Sequence, residues 1–139
     1  MNYYLYLITP FCAWLVAGCL KFSINSIKAK KLAFGLIGYG GMPSNHSAIV
    51  SSTTALIAFK EGINTPSFAV ALTLSFIVLL DANSLRQQVG KHAQAINILN
   101  QNSTQSTHLR ERMGHTRFEI FGGIITGICV AYALFLFTK

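Results

Sequence analysis

Four charge-poor apolar stretches alternate with polar ones along the chain, and their lengths suit a bilayer. Residues 3–20 contain no Asp, Glu, Lys or Arg. As a helix they would span about 27 Å at 1.5 Å per residue, close to the ~30 Å hydrocarbon core of a membrane. Pro10 lies inside this stretch and is expected to kink it, which membrane helices tolerate. A second helix is predicted over residues 44–59, with Ser44 or Asn45 as N-cap after Pro43. A third covers residues 62–80 and is expected to end sharply at Asp81, and a fourth covers residues 118–137.

The intervening segments differ in character. Residues 21–31 form a basic connector with Lys21, Lys28, Lys30 and Lys31, and residues 32–42 are glycine-rich and apolar, as in a loop dipping into the membrane. The polar segment 81–117 is the longest. Leu85, Val89, Ala93 and Ile96 recur at helical spacing in its first half, and residues 100–107 read as a solvated loop. These patterns predict an all-α protein: one transmembrane domain over residues 1–139, a bundle of about four membrane-spanning helices.

Two of the spans carry packing signals. The second holds Ser47, Ser51, Ser52, Thr53 and Thr54, too many hydroxyls for a lipid-facing surface, so it belongs at the centre of the bundle. The fourth holds Gly123 and Gly127, a GxxxG pair that permits close helix contact. Packing inside one bundle is the favoured use of that pair, with a homo-oligomer face as the alternative.

Composition agrees with a lipid environment. Only 11% of the 139 residues are charged and 52% are hydrophobic, whereas soluble domains average about 25% charged. The net charge of +7 does not mark a nucleic-acid binder, because the cations are split between two short polar segments. Anionic lipid headgroups or a phosphorylated lipid are the better partners. Cys12, Cys19 and Cys129 all sit in apolar runs without a CxxC, so neither a disulfide framework nor a zinc site is indicated. The N-terminus lacks the basic region and cleavage site of a signal peptide and reads as the first span. Nine of the eleven Lys/Arg fall in residues 21–31 and 81–117. The positive-inside rule then places both segments in the cytoplasm and both termini outside.

Alternating spans bring three polar clusters to one membrane face. They are Lys21 and Lys28; residues 40–46, Gly-Gly-Met-Pro-Ser-Asn-His; and Arg86 together with residues 114–119, Gly-His-Thr-Arg-Phe-Glu. The chemistry they suit is phosphoryl transfer. A phosphate needs cations, backbone N–H donors and a nucleophile. Helix N-termini present free N–H groups at a positive dipole end, and glycines such as Gly41 let backbone approach an anion closely. Two helix starts each carry a histidine, His46 and His115, so one could attack phosphorus while the other protonates the leaving oxygen. Glu119 lies four residues after His115, on the same helix face, and could engage one ring nitrogen so that the other is free. A carboxylate near the start of a membrane span is costly without a partner, which adds to its candidacy. By contrast His92 and His108 read as interfacial residues, Lys30 and Lys31 as topology determinants, and Arg110, Glu111 and Arg112 as a solvated face.

Taken together, residues 40–48, Asp81 through Arg86 to Ala93, and residues 114–123 resemble the divergent branch of the type 2 phosphatidic acid phosphatase superfamily, which is related to vanadium-dependent haloperoxidases. The resemblance covers nearly the whole chain. The superfamily carries Lys-x6-Arg-Pro, Pro-Ser-Gly-His and Ser-Arg-x5-His-x3-Asp motifs and forms a phosphohistidine without a metal or other cofactor. It implies His115 as nucleophile, Glu119 as its orienting carboxylate and His46 as general acid. It also implies Lys21, Lys28, Ser44 and Arg86 around the phosphate. The chain departs from the pattern at several places. Lys28 stands for the arginine, Ala29 for the proline, Asn45 for the glycine and Glu119 for the aspartate, and 28 residues separate Arg86 from His115 where the motif has five. The expectation is a metal-independent phosphatase acting on a lipid phosphomonoester or pyrophosphate in a bacterial inner membrane, its site on the cytoplasmic side. A non-catalytic lipid-phosphate binder or transporter, and a structural membrane protein, are the alternatives.

Overall fold

A computed structural model describes residues 3–30, 32, 41–100, 108–111 and 113–138. Most of the glycine-rich loop and of the solvated loop expected from the sequence, with Lys31, Gly40 and Arg112, lies outside the described residues. Within them the regular structure is entirely helical. Four helices follow one another: α1 (Tyr4–Ala29), α2 (Asn45–Glu61), α3 (Pro66–Leu99) and α4 (Arg117–Phe137). The helices α1, α3 and α4 are long and apolar enough to cross a membrane. This is the all-α membrane bundle that the sequence pattern predicts.

Local chemistry accounts for the boundaries. Ser44, in extended conformation, caps α2 by accepting from the Ser47 N–H, and Gly62 follows the helix with φ 88°. Thr65 caps α3 by accepting from the Phe68 N–H, and Pro66 sits at the first helical position, where its missing N–H costs nothing. Thr116 and Glu119 form a reciprocal capping box at the start of α4.

Three sequence expectations are corrected. Residues 21–29 continue α1, so Lys21 and Lys28 ride on the helix and not on a connector. Residues 62–65 precede α3, which does not stop at Asp81. The backbone widens into a π-turn over Asp81–Leu85 and resumes as α-helix over Arg86–Leu99. A charge marks where a side chain leaves lipid, yet backbone hydrogen bonding continues across that boundary unless Gly or Pro breaks it. The π-turn closes with the Arg86 N–H donating to the Asp81 carbonyl. It also sets the Arg86 and Asp81 side chains 3.7 Å apart.

Helix α2 is the axis of the bundle and packs on the other three helices. Ser47, Ala48, Ser52 and Leu56 on it are fully buried. Its hydroxyls are used internally: Thr54 Oγ1 lies 2.8 Å from Ser75 Oγ of α3, and Ser75 donates to the Val50 carbonyl at 3.3 Å. Against α1, Ala13 and Ala17 meet Ala48, three small residues that allow a close approach. Against α4 the seam is tighter. A Cβ on Gly123 would clash with the Ser44 carbonyl, and one on Gly127 would lie 2.5 Å from the Ala48 carbonyl. The GxxxG pair is therefore the α2–α4 contact within this chain. Its register (Gly123 at Ser44, Gly127 at Ala48) makes α2 and α4 parallel, with both N-termini at the same end of the bundle.

Candidate active site

The paired N-termini of α2 and α4 create the site. The Ser44 N–H donates to the Glu119 carbonyl at 2.9 Å, locking the two helix starts together. His115 sits just before α4 and is 6% exposed. Its backbone N–H donates to the Ala82 carbonyl in the π-turn at 3.0 Å, and the Gln87 side chain donates to its carbonyl at 3.4 Å. Gly114, with φ 89°, makes the turn that brings it there, in a space where a Cβ would meet Gln87 at 2.8 Å.

The imidazole is oriented as the sequence spacing suggests. His115 Nδ1 lies 3.2 Å from Glu119 Oε2. The same oxygen accepts from the Thr116 N–H at 2.9 Å. Glu119 thus caps α4 and holds His115 at once. A carboxylate only accepts, so Nδ1 carries the proton and Nε2 keeps its lone pair. Burial pushes the His115 pKa below its ordinary value of 6.5; the Glu119 hydrogen bond opposes this, and Lys21 and Arg86 reinforce it. At neutral pH the ring is therefore uncharged, the state a nucleophile needs.

His46, in the first turn of α2, faces His115 with ring centroids 5.9 Å apart and planes inclined by 57°. Its Nδ1 and the neighbouring Asn45 Oδ1 are buried without a protein partner among the described residues. Lys21 and Arg86 act electrostatically on both histidines. Lys21 is half-buried on α1, and Arg86 is half-exposed beside Asp81. Six residues from four helix regions thus converge: Lys21, His46, Asp81, Arg86, His115 and Glu119.

Other sequence candidates stand elsewhere. Lys28 is exposed, seven residues or about 10 Å beyond Lys21 along α1. Gly41, with φ 142°, packs against the Asn25 side chain of α1, where a Cβ would sit 3.5 Å from Asn25 Oδ1. Ser44 is fully buried, and its hydroxyl accepts from the Ser47 N–H at 3.4 Å and from Ser47 Oγ at 3.0 Å. Its hydroxyl serves the helix cap. Lys91, His92 and His108 are exposed.

Sequence reasoning missed the support behind His115. Residues 108–111 and 113–115 lie along α3. Asn97 Nδ2 donates to the Leu109 carbonyl and to Glu111 Oε1, both at 2.8 Å, and Asn97 Oδ1 accepts from the Leu109 N–H at 2.8 Å. Gly90 lets the Glu111 carbonyl lie directly on the helix. The signal available in the sequence was a lone Gly inside a helical pattern, a mark of close backbone approach. The Asp81–Arg86 pair had none, because a five-residue spacing only stacks on a π-turn.

These features define a helical integral membrane protein with a histidine–carboxylate pair and two flanking cations at one end of its bundle. The chain belongs to the Divergent PAP2 family, whose profile matches residues 3–130. It is also 30% identical over 148 aligned positions, covering 94% of each chain, to YuiD of Bacillus subtilis (strain 168), an uncharacterized membrane protein. No solved structure matches it. The family resemblance read from the motifs is thereby confirmed.

Proposed function

We propose that the protein is a lipid phosphatase that works through a phosphohistidine. His115 Nε2 attacks phosphorus, forming an N–P bond as the bond to the leaving oxygen breaks. The protonated fraction of His46, reduced by burial and Arg86, delivers a proton to that oxygen, and His46 takes a proton back from the water of the second step. Water then cleaves the N–P bond, releasing inorganic phosphate and restoring His115. Lys21, Arg86 and the two helix N-termini face the charge on the phosphoryl oxygens, where a single donor can be worth about 10²–10³ in rate. The scheme uses no metal or other cofactor. The substrate class is a phosphomonoester or pyrophosphate on a lipid in the bilayer.

One observation carries this reading: a buried His115 whose Nδ1 is engaged by Glu119 and whose ring faces His46 across 5.9 Å. A protein that only bound a headgroup would need the cations but not an oriented, uncharged imidazole. Charge distribution favours a cytoplasmic site and external termini in a bacterial inner membrane. The GxxxG pair is consumed within the chain, so the reading requires no homo-oligomer.

The test is phosphate release by purified protein from a panel of lipid phosphates, with chelator present, comparing wild type with His115→Ala. Release that persists in chelator and is lost in the variant is expected. Folded wild-type protein that releases nothing from any member of the panel would replace this reading with that of a lipid-phosphate binder or transporter.

A further inference from the structure

An apolar groove opens beside the α1–α2 contact. Pro10, Phe11 and Trp14 of α1 and Ile49 of α2 line its 380 Å³. That volume falls in the range of roughly 300–1,000 Å³ typical of small-ligand sites. Its position relates it to the histidine site through both helices. Ile49 follows His46 by three residues, about 4.5 Å along α2, and Trp14 precedes Lys21 by seven, about 10 Å along α1. Lys21 continues the buried stripe of Thr9, Ala13 and Ala17. The groove flanks that stripe, starting just below the cationic cluster and running toward mid-membrane.

Its walls explain its shape. Ala13, Ala17 and Ala48 are fully buried and draw the helix axes together. Trp14 and Phe11 project from α1, 53% and 70% exposed, and leave a channel between their rings and α2. The lining residues are all apolar, so the occupant is hydrocarbon. The cationic cluster at its upper end selects which hydrocarbon.

We infer that this groove holds one aliphatic chain of a lipid whose terminal phosphate sits among Lys21, Arg86 and the two histidines. The inference rests on the site being a lipid-phosphate site and adds where the chain lies. The headgroup pins the chain beside Trp14, so a lipid phosphate outcompetes bulk lipid for the groove.

Trp14 is the only tryptophan, which makes its fluorescence a direct reporter. The full chain, as wild type and as His115→Ala to remove turnover, is placed in phosphatidylcholine vesicles. Each vesicle set holds a small, equal fraction of brominated-chain phosphatidic acid, phosphatidylglycerol or phosphatidylcholine. Phosphatidic acid is expected to quench Trp14 about tenfold more per mole than phosphatidylcholine, the selectivity two nearby cations can provide. It should also quench well above phosphatidylglycerol, whose phosphate is a diester. Lys21→Ala with Arg86→Ala should abolish the preference. Ile49→Phe, which fills the groove, should weaken quenching while inorganic phosphate still perturbs the His115 NMR signal. Equal quenching by the three lipids, or a preference that survives loss of both cations, would overturn the inference. Selective quenching without phosphate release would uphold the groove and remove the phosphatase reading, whereas release without selective quenching would do the reverse.

Discussion

The two ends of the α2–α4 pair share one seam and are built from different materials. At the far end Leu5, Leu56 and Ala131 are buried together, with Tyr6, Leu134 and Phe135 around them. The Phe59 ring packs 5.7 Å from both Tyr132 and Phe135. At the site end the buried groups are Ser44, Ser47 and His115. Apolar packing asks only for shape and volume, so many side-chain choices would serve at the far end. Buried polar groups each require a partner of matching geometry. The site end meets that demand with the capping box, the Ser44–Glu119 link and the Ala82–His115 link. Among the described residues it leaves His46 Nδ1 and Asn45 Oδ1 without a protein partner, whereas the far end leaves one such atom, the Tyr6 hydroxyl. One end holds the bundle together; the other carries the residues of the proposed site, at some cost in stability.

The largest expected effect separates these roles at a single carboxylate. Glu119→Gln keeps an oxygen to accept from the Thr116 N–H, so thermal stability should change by less than about 1 kcal/mol. It removes the charge that holds the His115 tautomer, and phosphate release should fall about 10²–10⁴-fold. A stability loss matching the activity loss would show that Glu119 only caps the helix.

Next come two packing variants, one per end. Leu56→Ala should destabilise by about 2–5 kcal/mol in detergent melts, with activity per folded molecule retained. Gly123→Ala forces a Cβ onto the Ser44 carbonyl and should cost about 1–3 kcal/mol. Because that contact also locks the two helix starts, activity per folded molecule should fall too. If both variants affect activity alike, the two ends are not functionally distinct.

A smaller effect is a displaced pH profile. On the proposed mechanism His115 attacks only when neutral, and burial lowers its pKa from the ordinary 6.5. Activity should therefore rise with pH as His115 loses its proton and fall again as His46, whose pKa burial and Arg86 also lower, loses the proton it must donate. Lys21→Met removes a charge that lowers the His115 pKa, so the rising limb should move to higher pH; a limb that moves the other way would separate Lys21 from His115. Smallest of all is Asn97→Ala. It frees residues 108–111 from α3 and should speed their amide exchange while reducing kcat a few-fold with little change in KM. Unchanged exchange there would show that other contacts hold this segment.

Much of this was readable before any coordinates. Spans appear wherever about 18 uncharged residues run together, and the α2 cap follows from Ser44, whereas the Thr65 and Thr116 caps came with the structure. The four-residue spacing of His115 and Glu119 already put them on one face. Less readable was the continuation of α1 and α3 past their charges, since side-chain polarity reports the surroundings of a helix and not its end. For Ser44 the two sequence readings diverged: in the fold its hydroxyl is spent on the α2 cap that its position predicts, and not on the phosphate contact that the motif implies.

The sequence by itself determined the helical membrane class, the internal use of hydroxyls and glycines, and the family, because each rests on local pattern or on chemistry within a turn or two. Only the tertiary structure decided that α2 and α4 touch along the Gly123–Gly127 seam, that a π-turn brings Asp81 to Arg86, and that residues 108–111 and 113–115 lie along α3 and deliver His115 opposite His46. Those facts depend on contacts between residues far apart in the chain, where no periodicity or cap signal reaches.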